Sequence, residues 1–377
     1  MRGIDKQQGV VFSYITPEQR VLSNHPLRRI RTLVDTALAE VSLHFDTLYA
    51  RRGRRSIPPE KLIRALLLQV LYSIRSERQL MEQVDFNVLF RWFVGLNLDD
   101  AIWDATVYTK NRNRLMKGEV SQRLLEAIVE RARKEKLLSE DHFTVDGTLV
   151  QAWASPGSFK AKDPATVKGT GARGKKLLRD THESKTDPEA RLYSKGGPSL
   201  ACYIGHVVTE NRNGFVVAAC ATTASKTAET EAGLKMLEAK VGKAGEKQEE
   251  IKTGEEQEET PKKTIGADKA YQNQAFVEGV RKLQLVPHVA EYEPNPKWPN
   301  WLTEAERQHP GFRISQNKRK PIEKVFGWSK QGRPGKQIKL RGEKRVDWMF
   351  RFVMATQNLV RMAKLIPSSA SVLVSVP

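Results

Sequence analysis

Three acidic residues stand at positions of the sequence where a charge is otherwise unexpected. Asp146 interrupts an apolar, strand-like run, Asp268 follows the run Thr264–Ala267, and Glu323 is nearly alone in a basic C-terminal segment. A carboxylate inside a sheet is costly unless it is paired or binds a cation. Mg²⁺ prefers a few carboxylate oxygens together with water and substrate phosphate, and two such ions about 3.5–4 Å apart stabilise both reacting oxygens in phosphoryl transfer. The three acids therefore suggest a site for hard divalent ions.

A purely structural interpretation of the same acids is also open. Asp146 and Asp268 can be strand-end or turn residues, and Glu323 can be an acid favoured by the dipole at a helix N-terminus. Their neighbours favour the functional interpretation. Gly147 follows the first acid, and small residues precede the second, with Lys269 directly after it. Both surroundings leave room for a phosphate to approach.

The net charge points to a polyanionic partner. The 377 residues contain 63 Lys and Arg against 44 Asp and Glu, which gives a formal charge of +19 and a pI near 9.8. Lysine and arginine gain affinity for nucleic acids by displacing counterions condensed on phosphates. Residues 312–345 hold twelve Lys or Arg and two acids, and residues 28–31 and 51–55 form two further basic clusters. A nucleic-acid binder explained by charge alone is the simplest alternative to an enzyme.

Several other classes of protein are disfavoured by composition. The two cysteines, Cys202 and Cys220, form neither a disulfide framework nor a Cys-x-x-Cys pair. The seven histidines show no spacing suited to zinc, and Ser155 and Ser158 follow no nucleophile-elbow pattern. The longest apolar run falls short of the ~20 residues that cross a bilayer, and no secretory signal follows Met1. We expect a soluble intracellular protein.

Apolar positions recur at helical spacing from Leu27 to Leu138, which predicts an all-helical region. The helix after Pro59 is apolar around most of its circumference, so we expect it to be central and buried. Ser76 and Gln79 have capping-box spacing and start the next helix after a short turn. Two helices across a tight turn can form a DNA-reading helix-turn-helix, although ordinary helical packing is the more common explanation. The predicted helices are 27–48, 59–74, 76–83, 86–96, 103–115 and 120–136.

The pattern changes after Ser139, where β-branched and aromatic residues form runs of strand length. Residues 211–214 end in Asn-Gly and form a hairpin signal between the second and third runs. Strands followed by alternating helix and strand predict a mixed α/β sheet. The predicted strands are 142–153, 201–210, 215–221, 264–267 and 285–289, with helices at 228–240 and 273–283 and final helices that begin at Pro321 and Asp347.

Motifs in a fixed order give the chain a resemblance to a known family. Residues 143–155 resemble the strand that carries the family's first acid, and residues 265–271 resemble the strand that carries its second. The helical segments 72–80 and 89–96 resemble parts of the family's N-terminal region. A single motif of this kind is weak, but several in the right order are specific.

The third acidic motif of that family is Tyr, two residues, Arg, three residues, Glu, six residues and Lys. Arg319, Glu323 and Lys330 fall on this spacing, whereas Gln316 occupies the Tyr position. The chain thus resembles the DDE transposases of bacterial insertion sequences, in the broad group of insertion-sequence families four and five. The departure at Gln316 affects any role of a phenol there but leaves the acid in place.

This resemblance implies an α/β fold: an RNase H-like, retroviral-integrase-like mixed-sheet catalytic domain preceded by an all-helical N-terminal domain. The implied boundaries are 1–138 for the helical domain, which would bind DNA ends or support dimerisation, 139–366 for the catalytic domain, and 367–377 for a tail. Composition adds a flexible basic loop at about 156–198 and a charged insertion at about 242–262.

The resemblance also implies an activity. Asp146, Asp268 and Glu323 would be the catalytic residues and would hold two Mg²⁺ ions, for which Mn²⁺ can substitute, to cut DNA at transposon ends and join the freed 3′-OH to target DNA. The expected partners are double-stranded DNA, as terminal inverted repeats and as target, and a second copy of the chain in a homodimer on DNA. The residues expected to grip DNA are Lys269, Lys318, Arg319, Lys320, Trp328 and Lys330.

Narrower interpretations stay open at this stage. A nuclease of the same fold would cut without strand transfer, and a non-catalytic DNA-binding protein descended from a transposase would keep the acids as relics. Arg319 and Lys330 can instead pair with Glu323 or face solvent. Trp153 and Trp328 can stack on an unpaired base, but core packing is the more common role of tryptophan. For a bacterial transposase we expect a cytoplasmic, nucleoid-associated location.

Overall fold

The computed structural model describes residues 15–49, 52, 56–162, 182–242, 263–292, 299–332 and 334–366. Four of the features predicted from the sequence lie partly or wholly outside these residues. They are most of the basic cluster 51–55, the centre of the predicted loop at 163–181, the charged insertion at 243–262 and the tail at 367–377.

The first part of the described chain is helical, as the apolar spacing predicted. Ser76 Oγ accepts a hydrogen bond from Gln79 N at 3.1 Å, and Asn87 caps the following helix by accepting from Leu89 N at 3.0 Å. Gly95, with φ of 88°, ends that helix in the left-handed region. The helices are α1 (Pro17–Arg20), α2 (Pro26–Leu48), α3 (Pro59–Leu71), α4 (Glu77–Phe86), α5 (Val88–Val94), α6 (Ala105–Lys117) and α7 (Val120–Lys134).

Helix α3 is buried on most of its circumference, as predicted. Ile63, Ala65, Leu67 and Leu68 all have 0% exposure, although they point in different directions around the helix. It packs against α2, α4, α5 and α6. Burial of apolar area contributes roughly 25 cal/mol per Å². Helix α3 is therefore the element around which the other helices assemble.

A mixed sheet forms the second part of the described chain. Its strands are β1 (His142–Gln151), β4 (Arg191–Tyr193), β5 (Leu200–Glu210), β6 (Val216–Thr223), β7 (Thr264–Ala267) and β8 (Val286–Val289), while β2 (Phe159–Ala161) and β3 (His182–Ser184) form a separate antiparallel pair. The strand order is β4-β5-β1-β7-β8, and β6 pairs with β5. The β1–β5, β4–β5 and β5–β6 pairs are antiparallel, whereas β1–β7 and β7–β8 are parallel.

Six helices of the described chain follow the first strands and pack around the sheet. They are α8 (Ala228–Leu237), α9 (Gln274–Lys282), α10 (Glu304–Arg307), α11 (Phe312–Arg319), α12 (Pro321–Lys330) and α13 (Glu343–Leu365). Helix α8 packs against β1, β5 and β6, and α11 packs against β1, β7 and β8. The last helix, α13, packs against β5 and β6 and also against α2, α3 and α7.

The helical and sheet regions share one hydrophobic core. Buried residues of both regions, such as Leu66 and Val145, belong to the same continuous cluster, which α13 joins through residues such as Phe350. The boundary predicted near residue 138 therefore marks a change of secondary structure and not the end of a separate core.

Side chains of α13 bind the outer edge of β6. Asn358 accepts from Val216 N at 3.0 Å and donates to Val216 O at 2.8 Å. Asp347 accepts from Ala221 N at 2.8 Å, and Glu343 accepts from Thr223 N at 2.7 Å. An exposed strand edge is a template for pairing with another chain. Here one helix supplies hydrogen-bond partners to that edge.

Two regions differ from the sequence-based expectation. The segment predicted as a loop at about 156–198 contains β2, β3 and β4 within its described residues. Helix α11 was not predicted, because its sequence is polar and basic and buries Ser315 rather than an apolar stripe. No described helix combines the length and apolar character that a membrane span requires.

Candidate active site

Asp146 and Asp268 occupy equivalent positions on two neighbouring parallel strands. The register of β1 and β7 pairs Thr144 with Gly266, and each acid lies two residues further along its strand direction. Parallel strands place such residues at the same end of the sheet. A glycine at 266 keeps this part of the sheet tight, because a Cβ there would lie 3.2 Å from Thr144 Oγ1. The structure therefore brings together the first two acids that the sequence singled out.

The carboxyl of Asp146 is poorly compensated. Burial and the neighbouring Asp268 raise its pKa to about 6, and Glu229 acts weakly in the same direction. The hydrogen bond from Gly147 N, at 2.7 Å, and the nearby Lys195 oppose this rise. A negative charge beside a buried carboxyl disfavours the ionisation of that carboxyl. A cation would relieve this repulsion.

Asp268 has a second task in the local structure. Its Oδ1 accepts a hydrogen bond from Ala270 N at 2.9 Å and so caps the short 3₁₀ turn Lys269–Tyr271 that follows β7. Lys269 is exposed in this turn, with Nζ 5.9 Å from the centre of the Tyr292 ring. The turn thus fixes the acid and directs a cation toward solvent beside it.

Two further residues, Glu229 and Lys195, reach the same place and were not predicted. Glu229 is the second residue of α8, and Lys195 lies in the turn after β4. Lys195 Nζ forms an ion pair with the Glu229 carboxylate and donates to Gly147 O at 3.0 Å. Neither residue has a distinctive sequence context, since Glu229 reads as an ordinary first-turn acid and Lys195 as one of many loop lysines.

Gly147 has a different role from the one that its sequence context suggested. The missing side chain was expected to leave room for a phosphate. The structure fills that room with Glu229, because a Cβ at Gly147 would collide with Glu229 Oε1. Gly147 therefore allows α8 to bring its carboxylate against β1.

A buried tyrosine lies behind the acids. Tyr271 is 1% exposed, and its hydroxyl has no hydrogen-bond partner among the described residues. Burial, followed by the charges of Glu229, Asp146 and Asp268, raises the pKa of this phenol well above its usual value. The hydroxyl therefore stays protonated beside the three acids.

Glu323 lies apart from the first two acids. It is the third residue of α12, exposed, on a helix that packs against β1. Lys330, at the other end of α12, is half-buried: burial lowers its pKa, Lys195 acts in the same direction, and Asp146 opposes the shift. Helix α12 therefore carries a lysine whose charge interacts with Asp146.

A metal ion was expected at the three acids. Of the side chains that the structure describes, no three or more His, Cys, Asp and Glu are grouped so that they could hold one. Asp146 and Asp268 nevertheless offer the hard carboxylate oxygens that Mg²⁺ prefers. Their repulsion is also the electrostatic condition that a cation neutralises. The pair fits a divalent ion, and Glu323 does not complete the set in this arrangement.

The residues expected to bind DNA lie in the turn after β7 and on α11 and α12. Lys318, Arg319 and Lys320 occupy the junction of α11 and α12, where the two lysines are exposed and Arg319 is half-buried. Trp328 packs against the hydrophobic core. Gln316, at the position of the family's tyrosine, donates through Nε2 to His288 O at 2.5 Å. The amide therefore ties α11 to β8.

Trp153 is partly exposed instead of packing in the core, which is the more common role of a tryptophan. Core packing was the favoured expectation for Trp153 and Trp328, and it is right for Trp328 only. Trp153 follows the end of β1 and is 42% exposed, with Lys339 Nζ 5.3 Å from the ring centre. Its position near the sheet's end, outside the paired strand, leaves one indole face without core around it.

Comparison with known proteins gives two matches to family models. Residues 16–114 match a model described as a transposase domain (DUF772), and residues 288–363 match one described as a transposase DDE domain. The two matches support a DDE transposase of the insertion-sequence type. The first model covers most of the helical region, and the second covers Glu323 and Lys330 but neither Asp146 nor Asp268.

Solved structures of other transposases resemble the chain distantly. The piggyBac transposase synaptic complex with hairpin DNA has 11% identity and a TM-score of 0.34, over 90% of this chain and 75% of that chain. The Mos1 strand transfer complex has 10% identity and a TM-score of 0.20, over 81% of this chain and 91% of that chain. No curated protein matches this chain.

Proposed function

We propose that this transposase cuts DNA at the ends of an insertion sequence and joins the freed 3′-OH to target DNA. The catalytic residues in this proposal are Asp146, Asp268 and Glu323, with two Mg²⁺ ions as cofactor. The observation that carries it is the juxtaposition of Asp146 and Asp268 on adjacent parallel strands, where each lies two residues past a register pair. Their repulsion, which raises the pKa of Asp146, is the electrostatic demand that a divalent ion meets.

The strand arrangement supports an RNase H-like catalytic domain. Antiparallel strands β6, β5 and β1 are followed in the sheet by the parallel strands β7 and β8, and the two acids lie on β1 and directly after β7. Helix α12 then brings Glu323 and Lys330 to the side of β1. We propose that DNA draws Glu323 toward the first two acids, since α12 already packs on the strand that carries Asp146.

The bound ions would supply Lewis-acid stabilisation of the phosphoryl group. The chain's own residues hold and orient the DNA. Strand β1 is paired with β7 as far as Thr144 and with β5 through Asp146, so the backbone at Asp146 has a fixed position, and Asp268 is fixed by its cap on Ala270 N. The proposed phosphate-binding side chains are Lys269, Lys318, Arg319, Lys320 and Lys330, with Trp328 packed beneath them.

The remaining parts of the proposal concern partners. The helical region at 1–138 would bind transposon-end DNA or support a homodimer on DNA. A basic surface of this kind binds DNA with an affinity that falls steeply with salt. The expected place of action is the nucleoid in the bacterial cytoplasm.

The proposal is tested with the full-length protein and a labelled duplex that carries the inverted repeats flanking its coding region. Wild type is expected to nick this duplex in Mg²⁺ and not in EDTA. Asp268→Asn is expected to abolish nicking while end binding persists. Asparagine caps a helical turn as well as aspartate does, so a folding defect is not the expected cause. Retained nicking by this variant would contradict the proposal.

Strand transfer needs its own assay. Pre-cut ends with a free 3′-OH are incubated with a supercoiled plasmid in Mg²⁺, and joined products are separated on a gel. We expect joined products with wild type and none with Asp268→Asn. Nicking without any joining would identify a nuclease of the same fold instead.

A further inference from the structure

We infer that Lys195 is a phosphate-binding residue of this site and that Glu229 is the residue that positions it. The inference rests on the proposed DNA cleavage at Asp146 and adds a cation and its support to it. Lys195 comes from the turn after β4, and Glu229 comes from the first turn of α8. Chain segments that are distant in sequence therefore meet at Gly147, next to the acid.

The contacts of Lys195 leave part of its binding capacity open. Nζ donates to Gly147 O at 3.0 Å and pairs with the carboxylate of Glu229. An ammonium group has three donors, so these two contacts leave one. The Lys195 side chain is 33% exposed, against 12% for Glu229. The cation therefore faces solvent on one side while its protein partners hold it on the other.

The carbonyl of Gly147 lies where β1 has lost a neighbour. The pairing of β1 with β7 extends only to Thr144, and β7 itself ends at Ala267. Lys195 binds the backbone just past this point. Its ammonium consequently lies at the same end of the sheet as Asp146 and Asp268, where the proposed reaction takes place.

Glu229 approaches β1 from α8, which packs against this strand. It fills the side-chain space of Gly147, because a Cβ at 147 would collide with its Oε1. Its carboxylate is already paired with Lys195 and only 12% exposed. Glu229 therefore fits a role as the support of Lys195 better than a role as a metal ligand beside Asp146.

A second lysine strengthens the case for a phosphate. Lys330 is half-buried, and the positive charge of Lys195 helps burial to lower its pKa, while Asp146 opposes the shift. The two ammonium groups therefore repel each other. A phosphate oxygen bound between them would offset the repulsion, and DNA is the phosphate source that the proposed function supplies.

The first test measures kcat/KM for Mg²⁺-dependent nicking of the end duplex by Lys195→Met and by the control Lys226→Met, an exposed lysine just before α8. A charged hydrogen bond to phosphate is expected to be worth about 10- to 100-fold in kcat/KM, and Lys226→Met should stay within about twofold of wild type. Equal activity of Lys195→Met and wild type would overturn the inference.

Substituted DNA identifies the contact directly. Phosphates near the cut are replaced one at a time by methylphosphonate, which has no negative charge. Replacement of the phosphate that Lys195 binds is expected to lower the activity of wild type. The same replacement should not lower the activity of Lys195→Met any further than on unmodified DNA. Losses that add fully at every position would contradict a direct contact.

The role of Glu229 is tested by Glu229→Gln, which keeps the shape and removes the charge. We expect nicking to fall by about 3- to 10-fold, mainly through KM, with an unchanged Mg²⁺ concentration for half-maximal rate. The double variant Lys195→Met, Glu229→Gln should be no slower than Lys195→Met alone. The control is Glu231→Gln, an exposed acid on the same helix, which should behave as wild type.

Different outcomes identify different failures. A shifted Mg²⁺ titration in Glu229→Gln, with a loss that persists in the double variant, would make Glu229 a metal ligand and overturn its positioning role. A wild-type protein that does not nick its own end DNA in Mg²⁺ would overturn the proposed function itself. If wild type nicks the end DNA and Lys195→Met is equally active, only the inference about Lys195 is overturned.

Discussion

Glu210 and Asp146 are acids on adjacent strands of one sheet, and their surroundings are opposite. Glu210, at the end of β5, has 0% exposure, and its two carboxylate oxygens accept four backbone N–H groups at 2.8–3.1 Å. Asp146 accepts one, from the adjacent Gly147, and has Asp268 as a neighbour. The donors to Glu210 are Ser139, Arg212, Asn213 and Phe215.

The difference separates a structural acid from a functional one. A carboxylate with a full set of donors is stabilised as an anion inside the fold and needs no ligand. A carboxylate with too few donors and a second acid beside it is destabilised as an anion, and a bound cation would stabilise it. Glu210 binds the backbone of the turn after β5, whereas the negative charge of Asp146 is not compensated by the surrounding protein groups.

Asp146→Asn gives the largest expected effect on activity. Loss of a metal-binding carboxylate removes several kcal/mol of transition-state stabilisation, so Mg²⁺-dependent nicking should fall by about 1000-fold or more. The folded protein should be at least as stable, because the repulsion with Asp268 disappears. Nicking rate and urea unfolding are measured on the same sample. The matched control is Asp141→Asn, an exposed acid at the start of the same strand run.

Glu210→Gln should show the reverse pattern. The amide NH₂ replaces one acceptor oxygen and faces backbone donors, so the free energy of unfolding should fall by about 3–4 kcal/mol. Activity per folded molecule should not change, because the carboxylate of Glu210 is occupied by four backbone donors and has no part in the proposed metal site. Urea unfolding monitored by circular dichroism, with nicking normalised to the folded fraction, checks this. A stable but inactive variant would break the comparison.

The sequence predicted the elements better than it predicted the contacts between them. Periodicity placed strand Thr264–Ala267 and helix α7 to within two residues, because each buries one regular face. It missed α11, whose buried face has no apolar stripe. It singled out Asp146 but gave no role to Glu210, an acid at the end of an apolar run. The backbone donors that hold Glu210 come from Ser139 and from the turn after β5, which only the fold brings to the carboxylate.

The candidate site was half predictable for the same reason. Asp146 and Asp268 were visible because a charge in a strand-like run is conspicuous, and their proximity follows from parallel pairing. Nothing in the sequence indicated that Glu229 and Lys195 belong to the site. Their meeting depends on the packing of α8 against Gly147, which leaves no trace in local sequence.

The pH dependence of stability gives a third test of the comparison. The carboxyl of Asp146 loses its proton near pH 3.8 in the unfolded chain but only near pH 6 in the fold. The folded state binds more protons over this interval, so this carboxyl makes stability fall as the pH rises through it. The penalty is absent below about pH 4 and approaches roughly 2–3 kcal/mol near neutral pH.

This dependence is measured by urea unfolding in EDTA between pH 4 and 7 for wild type and Asp146→Asn. The stability difference should grow with pH in favour of the variant, and saturating Mg²⁺ should reduce it. A difference that is constant across the range would show that Asp146 is compensated as well as Glu210 is.

The smallest expected effect belongs to Gly147→Ala. The added methyl displaces the carboxylate of Glu229 and should cost about 1–2 kcal/mol of stability. Gly327→Ala is the matched control, because a Cβ there has nothing within 4 Å, and alanine within α12 should stabilise by about 0.5–1 kcal/mol. Thermal or urea unfolding of both variants measures the contrast. Equal effects would mean that Glu229 is free to move away from β1.

The hydrogen bonds from α13 to β6 set an order of events during synthesis. The bond from Thr223 N to Glu343 spans 120 residues, so β6 leaves the ribosome long before its edge can be closed. A nascent or truncated chain that lacks α13 presents an open strand edge, which invites association with other chains. The sheet is therefore completed only after α13 has been made, and fragments that stop short of Glu343 should aggregate instead of folding.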